Sequence, residues 1–283
     1  MSEKKKVEGS RFLRESKPAL KHLLGILLRK YGYASILAVD SEAKIYSVAA
    51  SGINIGDFGM LCNRGFVIKA YNEGEYAEYS FNKLERDVTE QAQQIIEQIE
   101  ALKKAVPDKL ERIKLGMLED KPLKFSKSTE YEINPFETGA QNIIDKLTAL
   151  RKKGLEADER MLDCTARMSC QKYSKLFLSE NKDMEQNVLW TDCAMSFLAR
   201  RGNEVKSYFS SASNLGGSEI LESLEADIPH SVEMTVALLD SEPMVPGEYD
   251  CICTPEVTGM IVHEAFGHGV EMDMFAKDRA LDK

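Results

Sequence analysis

The chain has no Cys-x-x-Cys pair, no long apolar run free of charge, no excess of basic residues and four histidines in all. Each shortage narrows what the protein can be. Its six cysteines (Cys62, Cys164, Cys170, Cys193, Cys251 and Cys253) are scattered through a long sequence. That pattern excludes a dense disulfide framework and reads as reduced, buried thiols, Cys251-x-Cys253 included, in a cytoplasmic protein. The first apolar stretch, Leu20 to Leu28, is interrupted by Lys21 and His22. It is too short and too broken for a secretory core or a membrane span, so no membrane partner is expected. With 37 Lys and Arg against 46 Asp and Glu, the net charge is -9. A role on nucleic acid through a broad basic face is therefore not expected. The cluster Lys4-Lys5-Lys6 is too short to alter this and reads as a mobile terminus.

What is present describes an ordinary soluble chain of 283 residues, 43% hydrophobic and 29% charged, long enough for about two domains. Leu20, Leu23, Leu24, Leu27 and Leu28 have helical spacing, with Ser16 and Pro18 fitting a start. Two β-like runs follow, Ala34 to Asp40 and Ala43 to Ala50, joined by a polar turn. A second hairpin pairs Gly65 to Tyr71 with Tyr76 to Phe81, and Gly74 between them can take a positive φ. Leu84, Val88, Ala92, Ile95, Ile99, Leu102 and Val106 then predict a long amphipathic helix ended by Pro107.

Further along, a helix from about Gly139 to Lys153 turns Ile143, Ile144, Leu147 and Leu150 inward. Alternation around Cys164, Ala166, Met168 and Cys170 opens an antiparallel meander running to about Ala212, with Trp190 read as core. Gly216-Gly217 reads as a turn, and His230 to Leu239 as a helix with Pro229 near its first turn. The expected fold class is α+β. Residues 1–107 form an N-terminal α/β domain, 108–137 a linker, 138–242 a central helix with antiparallel strands, and 243–283 the start of a further domain.

The chemistry is concentrated in that last part. Tyr249 to Cys253 reads as a buried strand, Thr254-Pro255 as a turn, and Val257 to Phe266 as a helix carrying His263 and Glu264. Neutral imidazole is a common zinc ligand, and a carboxylate beside it can move a proton. His268 lies five residues after His263, not four, hence about 140° away on a regular helix. Two imidazoles so placed cannot share an ion unless the helix ends or bulges between them. Gly267 is the residue that allows such a break. Glu271 and Asp273 read equally as partners that orient an imidazole or as a solvated acidic turn. His22 and His230 read as helix-surface residues.

The run Pro246-Gly247-Glu248-Tyr249-Asp250, followed after Pro255 by His-Glu-Ala-Phe-Gly-His-Gly-Val-Glu-Met-Asp, resembles the TldD/PmbA family of metallopeptidases. The likeness extends back through residues 33 to 97, with Arg64-Gly65-Phe66-Val67, and about 120 to 230. It implies that His263 and His268 bind Zn2+, that Glu264 is the catalytic acid/base, and that a third ligand is a cysteine of a C-terminal domain. Where relatives have Glu-Gly-Asp, this chain has Glu271-Met272-Asp273. The resemblance further implies small or unfolded peptides as substrates and a homodimer or a heterodimer with a PmbA-type subunit. Because the sequence stops at Lys283, before that cysteine, a C-terminally truncated and inactive chain is expected. The alternative is a non-catalytic subunit that binds a peptide or a partner.

Overall fold

The computed structural model describes residues 4–57, 63–105 and 116–280. In chain order these form β1 (Lys5–Lys6), α1 (Arg11–Leu27), β2 (Tyr33–Ala49), β3 (Gly52–Asp57), β4 (Arg64–Asn72), β5 (Glu75–Phe81) and α2 (Val88–Ala105). Then come β6 (Leu123–Ser128), β7 (Glu130–Tyr131), α3 (Ala140–Glu156), β8 (Met161–Ser179), β9 (Lys182–Arg201), β10 (Glu204–Leu215) and α4 (Leu221–Ala237). The fold is α+β, as the sequence implied: helices pack on a large, mainly antiparallel sheet. No helix among the described residues is long and apolar enough to cross a membrane.

The sheet runs β10-β9-β8-β2-β4-β5, with β3 on β2 and β6 alongside β9. Two of its long inner strands, β2 and β8, stay in register from Ser35↔Ser179 to Val48↔Ala166. This length lets one sheet hold two cores. Near one end Ile36, Ala38, Leu176 and Leu178 meet α1 and α2; near the other Tyr46, Val48, Ala166 and Met168 meet α3 and α4. Residues 1–107 and 138–242 thus contribute separate helix pairs to a shared sheet.

Local chemistry explains the helix boundaries. Ser10, not Ser16, caps α1: its Oγ accepts the Leu13 N–H at 3.2 Å. Pro18 lies inside the helix on its exposed side, where the loss of one backbone bond is met by solvent. The buried stripe of Leu13, Leu20, Leu23, Leu24 and Leu27 carries the helix across it. Each fully buried leucine contributes about 1.5–3 kcal/mol, so packing outweighs the proline. A similar stripe (Leu221, Leu224, Ile228 and Val232) starts α4 well before His230 and leaves Pro229 in its interior. The Asp87 carboxylate accepts the N–H groups of Thr89 and Glu90 at the start of α2, both at 3.0 Å. Val106 and Pro107, read as the end of that helix, lie outside the described residues.

Several sequence expectations are corrected. The polar turn between Asp40 and Ala43 is absent: β2 is continuous because β8 pairs with Ser41 and Glu42 as well, opposite Tyr173 and Lys172. Part of the expected linker is ordered as β6, which lies parallel to β9 from Leu123↔Lys182 to Ser128↔Asn187. Lys5–Lys6 pair with Glu130–Tyr131, and Val7 is buried against Tyr131 and Leu189, so the basic cluster is held. Trp190 is 41% exposed, since the even-numbered residues of β9 in that stretch face away from the helices. The second hairpin is as predicted, with Glu73 at φ 54° and Gly74 at φ 90°, the signs of a type I′ turn.

The pair Gly216-Gly217 is a crossing of two backbones. A Cβ on Gly217 would lie 1.9 Å from the Ile133 carbonyl oxygen. That oxygen accepts the Ser218 N–H at 3.0 Å. The Glu219 carboxylate accepts the N–H groups of Gly217, Glu132 and Ile133 at 2.8, 3.2 and 3.0 Å. Burial raises the pKa of Glu219, yet these backbone donors outweigh it and hold the group below its ordinary value.

Candidate metal centre

Residues from Ser241 to Thr254 form no helix or strand. The expected strand Tyr249 to Cys253 is therefore absent, and Cys251 and Cys253 are exposed. A lone extended segment cannot bury apolar side chains without a neighbouring strand, and among the described residues none pairs with it. Cys164, Cys170 and Cys193 are buried as expected. Cys62 lies outside the described residues.

Helix α5 (Pro255–Val262) then begins with proline in its first turn, and the Thr258 N–H donates to the Thr254 carbonyl at 2.9 Å. It runs into a π-helical turn over His263–Gly267. The His268 N–H donates to the His263 carbonyl, a bond spanning five residues instead of four. That single widened turn answers the spacing problem posed by the sequence. In a π turn, positions five apart are stacked as positions four apart are in an α-helix. The two imidazole rings lie 4.5 Å apart between centroids, at 73° to each other.

Gly267 does not act as the sequence suggested. Its φ of -56° and ψ of -50° are ordinary right-handed helix. A Cβ there would meet only the Val262 carbonyl oxygen, at 3.6 Å. The helix bulges by changing its hydrogen-bonding partner, not by borrowing a conformation reserved for glycine.

His263, Glu264 and His268 each offer a ligand atom, and these atoms lie within 4.8 Å of one another. Glu264 Oε2 is 3.7 Å from His268 Nε2. A tetrahedral zinc ion with Zn–N bonds of about 2.0–2.1 Å needs donors roughly 3.3 Å apart, a separation within the 4.8 Å spread of these atoms. Two imidazole donors suit that ion.

After the bulge a short 3-10 turn (His268–Val270) leads to α6 (Met272–Ala276). Glu271 Oε1 lies 2.6 Å from His268 Nδ1. Asp273 instead pairs with Lys277 Nζ at 2.9 Å. His22 hydrogen-bonds Thr89 Oγ1 at 3.3 Å, and His230 packs edge-on against Tyr208. Both are exposed helix residues far from the cluster in sequence, as expected. The helix carrying the cluster also presents bare apolar side chains. Met260, Ile261, Val262 and Phe266 are 53–68% exposed.

Fold and site together define an α+β protein with a histidine-glutamate-histidine cluster on a helical bulge. No family model matches the chain. Solved structures share its fold, three of them as follows. A proposed modulator of DNA gyrase from Bacteroides thetaiotaomicron superposes with a TM-score of 0.64 at 16% identity, over 90% of this chain and 57% of that one. A second proposed modulator, from Thermotoga maritima, gives 0.60 at 14% identity, over 82% and 50%. TldE from Thermococcus kodakarensis gives 0.54 at 17% identity, over 78% and 47%. The chain is TldD/PmbA-like in fold and spans about half the length of these structures. A metalloprotease of Methanothermobacter thermautotrophicus is 34% identical over 89 residues, 31% of this chain and 20% of that protein.

Proposed function

We propose that the chain carries two ligands and the acid/base residue of a zinc metallopeptidase centre that cleaves small or unfolded peptides. The observation that carries this reading is the π turn, which stacks His263 and His268 and leaves Glu264 beside them. The local likeness to a protein named metalloprotease supports it. His263 and His268 would hold the ion. Zinc, when bound, supplies Lewis acidity at the scissile carbonyl. Glu264 takes a proton from the attacking water and delivers it to the departing amine, which neither imidazole can do while serving as a ligand.

Two imidazoles make a weak, open site, and catalytic zinc centres commonly use three protein ligands. The third donor in this reading lies outside the described residues, a cysteine by the family resemblance. A homodimer or a heterodimer with a PmbA-type subunit, in the cytoplasm, fits the same reading. The apolar side chains left bare on α5 and the bulge favour a second reading, a segment whose main task is to bind a peptide or partner.

Zinc titration of the chain by calorimetry separates the two. The expected result is weak binding that falls more than about 100-fold in His263→Ala and in His268→Ala, with both variants folded. In a preparation that hydrolyses peptides, Glu264→Gln is expected to keep zinc and lose peptide hydrolysis. Equal zinc affinity in parent and histidine variants would overturn the peptidase reading.

A further inference from the structure

We infer that Glu271 is a positioning residue for His268, fixing the imidazole tautomer that leaves Nε2 free to bind metal. The inference rests on the zinc reading of the cluster. It goes beyond that reading by dividing the nearby carboxylates according to the ring nitrogen each one faces.

An ionised carboxylate only accepts hydrogen bonds, so its 2.6 Å contact with His268 Nδ1 requires the proton to sit on Nδ1. In a neutral ring the other nitrogen, Nε2, then carries a bare lone pair. Glu264 stands on that side, its Oε2 3.7 Å from Nε2. This separation is too long for a hydrogen bond and leaves Nε2 uncommitted. One ring therefore has a carboxylate at each nitrogen, one bonded and one standing off.

Backbone geometry makes the division specific. The 3-10 turn ends at Glu271, whose φ of -61° and ψ of 141° leave the helical region. Glu271 is three residues after His268 and reaches back to it, much as a capping side chain reaches the preceding turn. Asp273, two residues on, is inside the next helix and pairs with Lys277. The sequence offered both acids equally; the fold selects one. Among the described residues, no hydrogen bond reaches a ring nitrogen of His263, so the two histidines differ in how firmly they are set. A carboxylate that holds the far nitrogen of a ligating histidine typically improves metal affinity about 10–100-fold.

The test uses the chain labelled with 15N-histidine, before and after zinc is added. Without zinc, the parent is expected to show His268 protonated at Nδ1, and Glu271→Ala to shift it toward the Nε2-protonated form. Glu271→Gln keeps an accepting oxygen and is expected to retain the parent tautomer. Asp273→Asn should leave the spectrum unchanged. On zinc titration, Glu271→Ala is expected to bind about 10–100-fold more weakly, and Glu271→Gln within a few-fold of the parent. An unaltered His268 tautomer in Glu271→Ala overturns the inference, as does an unaltered zinc affinity in a parent that binds. If the parent takes up no zinc, the peptidase reading fails while the tautomer result still stands or falls by itself.

Discussion

The body of the protein, through α4, and the stretch from Ser241 onward obey different rules. In the body, leucines, isoleucines and small residues fill two cores, and the Glu219 carboxylate is held by three backbone donors. In the terminal stretch nearly every described residue is exposed, and Ile252 is fully so. Yet this stretch holds the candidate ligands. The contrast teaches that the sheet is stable on its own contacts, whereas the cluster is set by hydrogen bonds within one short segment. Damage to one should spare the other.

The largest expected effect is in the body. Gly217→Ala would drive a Cβ to 1.9 Å from the Ile133 oxygen, forcing apart a backbone crossing closed by the Ser218 N–H and the Glu219 carboxylate. Overpacking of this kind, with hydrogen bonds lost besides, costs about 3 kcal/mol. Urea unfolding followed by circular dichroism should show a drop of that size, with zinc affinity unchanged. A parallel loss of zinc binding would break the separation of the two regions.

A second, smaller effect compares the thiols. Burial pushes Cys164 and Cys170 up to about 12 and Cys193 up to about 11. Tyr31 and Tyr46 are raised as well, again chiefly by burial. These groups keep their protons in the folded chain at pH values where the unfolded chain has lost them. Their stabilising contribution is thus complete below a thiol's ordinary pKa of about 8.5 and is lost as pH rises from there toward 11–12. The urea midpoint should therefore fall between pH 8.5 and 10. In a Cys62→Ser background, a thiol reagent at pH 8 should modify Cys251 and Cys253 rapidly, and the three buried cysteines only after unfolding. Slow reaction at Cys251 and Cys253 would show that the terminal stretch is covered in solution.

How far the sequence could be read follows the same divide. In the body, local chemistry and final structure agree at the second hairpin and along α3, whereas Pro18 and Pro229, local signs of a helix start, lie inside helices carried across them by buried stripes. Glu73-Gly74 makes its turn, and Ile143, Ile144, Leu147 and Leu150 face the core. Errors came from partners distant in sequence. Ser41 and Glu42 look like a turn until β8 runs beside them; the Gly216-Gly217 bend is where it was read, but its crossing by Ile133 has no local sign. In the terminal stretch, the His263 to His268 spacing required either an end or a bulge, and only the structure distinguishes them. Cys251 and Cys253 sit in an apolar-looking run, yet they are exposed because no strand among the described residues pairs with it.

The smallest effect concerns Gly267, and it separates backbone from residue as the source of the bulge. If glycine's conformational freedom made the π turn, alanine would cost about 1 kcal/mol or more and spread the histidines. The observed φ of -56° is one that alanine adopts readily, and the nearest atom to its Cβ would be 3.6 Å away. Alanine is also the better helix former. Gly267→Ala should therefore change the zinc affinity of this chain by less than about twofold and leave its helical signal equal or slightly stronger. A loss approaching that of His268→Ala would mean that the bulge depends on glycine, and that the His268 N–H bond to the His263 carbonyl follows from it.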